Sequence, residues 1–144
     1  MAVFLLKSKN GPGFAPPACA GLFGDVTCPS LFADWMEELA AEGITAGCGG
    51  GNYCPDDAVT RQQMSAFLLK ASNGSGYVPP PASGIFGDVP VSNPFAPWIE
   101  DLYHRQITAG CSTSPLLYCP SDPNTRQQMA VFLTKTFSLV LYGP

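Results

Sequence analysis

The sequence is poor in charge, in histidine and in long apolar runs, and each shortage removes a class of function. Only 12% of the 144 residues are Asp, Glu, Lys or Arg, about half the usual share. The net charge is −4 and the basic residues form no cluster, so the electrostatic footprint of a nucleic-acid binder is missing. A single histidine, His104, leaves no histidine-rich metal site and no histidine-based catalysis. No apolar run approaches the roughly 20 residues of a membrane-spanning helix, so no membrane insertion is expected. Disorder is excluded from the other side, because 46% of the residues are hydrophobic and 11% aromatic, enough to build a core. Glycine and proline are plentiful, 15 of each. In an ordered chain they predict turns and extended, partly polyproline connectors.

The strongest positive signal is internal repetition. Met1-Ala-Val-Phe-Leu-Leu-Lys7 recurs at Met64 to Lys70 and again at Met129 to Lys135. Gly21-Leu-Phe-Gly-Asp-Val26 answers Gly84 to Val89, and Ile44-Thr-Ala-Gly-Cys48 answers Ile107 to Cys111. Tyr53-Cys-Pro55 answers Tyr118 to Pro120, and Thr60-Arg-Gln-Gln-Met64 answers Thr125 to Met129. The opening segment resembles the start of a leader, but its apolar stretch stops at Lys7 and it matches two internal segments. It is read as the trailing helix of an incomplete repeat. The expected organisation is therefore 1–18 (trailing helix and linker), 19–81 (one repeat) and 82–144 (a second repeat with an apolar tail, Phe137 to Tyr142).

The six cysteines fall into three close pairs, none of them spaced C-x-x-C. Three short-range disulfides in an oxidising compartment are expected, Cys19–Cys28, Cys48–Cys54 and Cys111–Cys119; the alternative is free buried thiols. The second pair recurs as the third. Cys19 and Cys28 align with Ala82 and Val91, so both members of the first pair vanish together, as a bonded pair would.

Each repeat predicts two helices. The first spans roughly 31–42 or 94–105, with Ser30 or Asn93 as N-cap and Phe32, Trp35, Met36 and Leu39 at helical spacing. The second spans roughly 61–71 or 126–137, opened by the capping boxes Thr60-x-x-Gln63 and Thr125-x-x-Gln128. The fold class is mainly α, tandem helix–loop–helix repeats with extended Pro/Gly-rich connectors and short-range disulfides. One repeat cannot bury its own faces, so neighbours must stack.

The ordered string Phe23-Gly-Asp25-Val, Trp35, Leu39, Gly43-Ile-Thr-Ala-Gly47, Tyr53-Cys-Pro55, Val59-Thr-Arg61, Met64 and Phe67-Leu resembles an S-layer homology (SLH) repeat, and the second copy carries it from Phe86 to Leu133. Gln63 and Gln128 stand where the family has glutamate, Gln106 stands in place of a glycine, and the paired cysteines resemble a minority variant. The resemblance implies helical repeats, a bacterial cell surface, no catalysis, and a three-lobed bundle whose grooves hold wall polysaccharide, often pyruvylated.

Arg61 and Arg126 are the sharpest candidate site residues. Each follows a capping threonine, where helix amides favour an anion, and guanidinium offers a bidentate fork to a carboxylate; the family's groove arginine maps onto them. Trp35 and Trp98 suit sugar stacking or core packing. Asp25 and Asp88 are read as turn-forming rather than calcium-binding, and no metal or cofactor is expected. Nothing supplies a nucleophile with a base, so no enzyme is expected. The reading is a secreted structural protein that self-assembles head-to-tail, itself its main partner, through the uncovered Val3, Phe4 and Leu6 of the first helix and the apolar tail. The alternative is an anchor for an acidic wall glycopolymer.

Overall fold

The computed structural model describes residues 1–140. It is mainly helical, with α1 (Ala2–Asn10), α2 (Ala33–Ala41), α3 (Arg61–Asn73), α4 (Ala96–His104) and α5 (Arg126–Thr136). A two-residue hairpin, β1 (Ser112–Thr113) with β2 (Leu116–Leu117), pairs Ser112 with Leu117 and Thr113 with Leu116. The inner helices α1, α3 and α5 pack on one another, while α2 lies on α1 and α4 on α3.

The three recurrent Met…Lys segments form these inner helices. Leu5 and Leu6 of α1, Met64, Leu68 and Leu69 of α3, and Phe132 and Leu133 of α5 build one core with Leu39, Ile44, Leu102 and Ile107. Leu6 is therefore buried, not left for a partner. A helix as short as α1 is stabilised chiefly by this packing. Beside the main core lie two matching satellites, Phe23, Val26 and Ala33 and Phe86, Val89, Ala96, Ile99 and Tyr118.

Both capping boxes are present. Thr60 accepts from the Gln63 amide at 3.4 Å and Gln63 Oε1 accepts from the Thr60 amide at 2.9 Å; Thr125 and Gln128 do the same at 3.2 and 3.0 Å. The outer helices start later than the spacing predicts. The Ala33 amide donates to the Ser30 carbonyl and Ala96 to Asn93, so a turn precedes each helix and the N-caps are Phe32 and Phe95. Phe32 sits at φ 68° and half exposed instead of in the core. After each outer helix the chain turns through Gly43 (φ 68°) or Gln106 (φ 59°). At Gly43 a Cβ would lie 2.6 Å from Cβ of Ser75, which requires glycine there.

All three disulfides form as the spacing predicts, and no cysteine among the described residues is free. The longer third loop folds as the β1–β2 hairpin, whereas the shorter second loop makes a single bridge, Gly49 to Asn52. Of the apolar tail, Phe137 packs on the main core, Leu139 and Val140 are exposed, and Leu141 to Tyr142 lie outside the described residues.

Candidate functional site

The site begins with the carboxylates that hold the disulfide loops in place. Asp25 accepts from the amides of Tyr53 at 2.8 Å and Cys54 at 2.7 Å. Asp88 repeats this with Tyr118 and Cys119 at 2.8 and 2.7 Å. These are long-range clamps, not the local turn contacts expected from sequence. The Tyr53 amide above all holds the Asp25 carboxyl below its usual value, with Cys54 adding and burial opposing.

A second pair of clamps was not read from the sequence. Glu37 accepts from the amides of Ala20, Gly21 and Leu22 at 2.7, 2.9 and 2.8 Å. Glu100, buried, accepts from Ser83, Gly84 and Ile85 at 2.7, 2.7 and 3.1 Å and from the Ser83 hydroxyl at 3.0 Å. The available signal was their shared position, two residues beyond Trp35 and Trp98. The Ala20 amide leads in holding Glu37 below its usual value. Burial pushes Glu100 up, and the amides outweigh it to give a net lowering.

These clamps set Tyr118 over the start of α3 and decide the fate of Arg61. Arg61 is 3% exposed. Its Nε donates to the Tyr118 carbonyl at 2.8 Å, and its guanidinium stacks 4.7 Å from the Tyr118 ring and 5.7 Å from Phe132. Such contacts are cation–π pairs. The Tyr118 hydroxyl donates back to the Arg61 carbonyl at 2.9 Å. Burial pushes the Tyr118 hydroxyl up to about 12, against the pull of Arg61. The amides of Arg61 and Gln62, the natural anion seat of this helix, donate to Asp122 and Pro120 carbonyls. The chain itself thus occupies the position that a ligand would take, while Arg61 Nη2 is buried without a hydrogen-bond partner.

Arg126 has the same local sequence and a different setting. It is exposed, with its guanidinium 5.5 Å from the Phe4 ring. It lines a groove of about 940 Å³ with Met1, Phe4, Met36, Phe67 and Met129. Burial lowers the α-amino group of Met1, and repulsion from Arg126 lowers it further.

The tryptophans lie elsewhere. Trp35 meets the edge of Phe14 at 6.0 Å and Lys7 Nζ at 5.5 Å. Trp98 meets Tyr77 at 6.2 Å and Lys70 Nζ at 6.0 Å. Both pack against the main core. Lys70 and Arg61 stand at opposite ends of α3, about 14 Å of helix rise apart, so arginine and tryptophan do not share one sugar site. Two groupings, Cys19 with Cys28 and Glu37 and Asp88 with Cys111 and Cys119, have metal-ligand residue types, but their thiols are spent in disulfides. Asn73 heads a glycosylation sequon, and its Nδ2 donates to the Leu69 carbonyl while its Oδ1 accepts from Arg105.

Residues 29–65, which include α2, the Cys48–Cys54 loop and the first turn of α3, match the family model of the S-layer homology domain. This segment, with the Cys48–Cys54 disulfide inside it, is similar to an S-layer homology domain in a cysteine-containing form. No curated protein matches the chain, and no solved structure does. The SLH domain is a structural and anchoring module with a role at the cell surface, and such domains bind cell-wall polymers. No helix among the described residues is long and apolar enough to cross a membrane. The three disulfides fit an oxidising, extracellular setting.

Proposed function

We propose that this chain is a non-catalytic structural protein of the bacterial cell surface, joined to further subunits by protein–protein contact at the groove between α1 and α5. In this reading 1–18 is the trailing helix and linker of one SLH-like repeat, and 19–81 and 82–144 are two more, joined by Pro/Gly-rich connectors. The lining of the groove carries the proposal. Val3, Phe4, Met36, Met129 and Leu139 offer an apolar wall, with Thr45, Gln63, Asn124 and Arg126 among its polar members, and Phe4 is 46% exposed. Such a wall suits the apolar face of a helix better than the hydroxyls of a sugar. Contact of one end with the next subunit is heterologous and builds rings or filaments. Light scattering and negative-stain microscopy test this. Particles should grow with concentration and disappear in Phe4→Asp, a substitution at an exposed groove residue; association indifferent to Phe4→Asp would overturn the reading.

Arg126 favours a second reading, an anchor for an acidic wall glycan. Its guanidinium is exposed at the N-terminus of α5, where the helix dipole already attracts a carboxylate. Of the residues singled out from the sequence, Arg126 carries this reading, because Arg61 is buried under Tyr118 and Trp35 and Trp98 pack against the main core. Co-sedimentation with purified wall polysaccharide, lost in Arg126→Ala with helix content intact, would support it.

A further inference from the structure

We infer that Arg61 holds a small monovalent anion of the halide class, sealed between the start of α3 and the Cys111–Cys119 hairpin, with the side-chain amide of Asn124 as its second donor. Arg61 is outside the lining of the groove between α1 and α5, so this site does not depend on what the groove binds.

Three residues with a formal charge are buried among those described, Arg61, Glu100 and Asp101. Glu100 is met by three amides and a hydroxyl. Asp101 is met by Arg105 Nε at 3.1 Å and by the Tyr77 hydroxyl at 2.7 Å. Arg61 has no partner of opposite charge among the described residues. Its guanidinium donates from Nε to the neutral Tyr118 carbonyl and otherwise meets the faces of Tyr118 and Phe132. A guanidinium keeps its proton in a protein, so Arg61 cannot become neutral to relieve its burial. A buried charge without a counter-charge is strongly unfavourable. The positive end of the α3 dipole adds to it, and the first turn of α3 holds no acidic residue. A water would satisfy Nη2 but leave the charge unpaired, whereas an anion answers both.

The free donors set the size of the ion. Arg61 Nη2 is shielded from solvent and bonded to nothing, and so are Nδ2 and Oδ1 of Asn124. The chain brings these two residues to one place. Thr60 and Pro123 form a β-bridge, the Arg61 amide donates to the Asp122 carbonyl at 2.9 Å, and the Asn124 amide donates to the Val59 carbonyl at 2.8 Å. Arg61 and Asn124 each follow one member of that bridge. Two donors and one positive charge suit a single-atom ion. A sugar acid brings more oxygens than these donors satisfy and more bulk than a residue 3% exposed admits. Arg126, in the same local sequence, is exposed; water solvates its charge and it needs no such ion.

Calorimetric melting of the full chain tests the site, with gluconate exchanged for chloride at a constant ionic strength of about 0.3 M. Tm should rise saturably by about 2–6 °C, as for a ligand that binds only the folded state, and bromide should act like chloride. The rise should vanish in Arg61→Met, fall by at least half in Asn124→Leu and persist in Arg126→Ala. Each variant is compared with itself in gluconate, so the cost of the substitution does not enter the readout. Bromide-soaked crystals of the unaltered chain give a second readout that needs no variant, an anomalous peak beside Arg61 Nη2. A Tm indifferent to chloride, a rise that survives Arg61→Met or ignores Asn124→Leu, or a bromide peak absent from Arg61 overturns the inference. An Arg61-dependent rise of equal size with glucuronate overturns it as well, since the site would then admit a sugar acid.

Discussion

Removal of the Glu100 carboxylate tests whether the amide clamps hold the outer helices to their connectors. In Glu100→Ala three backbone amides and one hydroxyl lose their acceptor at once. A hydrogen bond to a charged group contributes about 1.5–3 kcal/mol. The four share one carboxylate and are not additive. Ser83 and Gly84 are exposed, so the freed amides regain water and each of the four bonds counts for less than the lower end of that range. The expected loss is about 3 kcal/mol, against a total stability of about 5–15 kcal/mol. With an unfolding entropy near 2.1 cal/mol/K per residue, this lowers Tm by about 10 °C. Calorimetric melting of the oxidised protein reads it directly, with Glu38→Ala on α2 as control. Glu100→Gln keeps the shape but turns one acceptor into a donor facing N–H groups, and should recover less than half of the loss. If Glu100→Ala melts no lower than Glu38→Ala, the clamp is not what holds residues 83–85.

The same carboxylates predict acid lability. Glu37 and Glu100 titrate below their ordinary value of 4.5, and a lowered folded value gives stability that is present above about pH 4.5 and lost as pH falls through the folded values; Tm should be flat from pH 7 to about 5 and then drop, less steeply in a Glu37→Gln, Glu100→Gln double variant. Non-reducing peptide mapping should return Cys19–Cys28, Cys48–Cys54 and Cys111–Cys119, and any cross-repeat bond would contradict the structure. Arg61→Ala should lower Tm by several degrees because it empties a buried stack under Tyr118, whereas Arg126→Ala should shift it by less than about 2 °C; equal effects would refute the difference in burial. Thr60→Ala and Thr125→Ala should each cost about 1 kcal/mol in chemical denaturation through loss of the cap.

What the sequence determined by itself was local. The capping boxes at Thr60 and Thr125, the positions of the inner helices and the three disulfides rest on residues no more than nine apart, where chain connectivity supplies the proximity. Helix starts were less legible, because the turn that carries Phe32 into the left-handed region uses residues that a helix also accepts. The clamps by Asp25, Asp88, Glu37 and Glu100 reach 15 to 31 residues, and a lone carboxylate in a sequence does not name the amides it will face. The arginines make the limit plainest. Thr60-Arg-Gln-Gln-Met64 and Thr125-Arg-Gln-Gln-Met129 are identical, form the same cap and present the same helix end. Arg61 is buried because the Tyr118 loop, 57 residues further along the chain, folds over it, and Arg126 is exposed because no such loop among the described residues reaches it. Burial depends on what packs from a distance, and that was decided only by the tertiary structure.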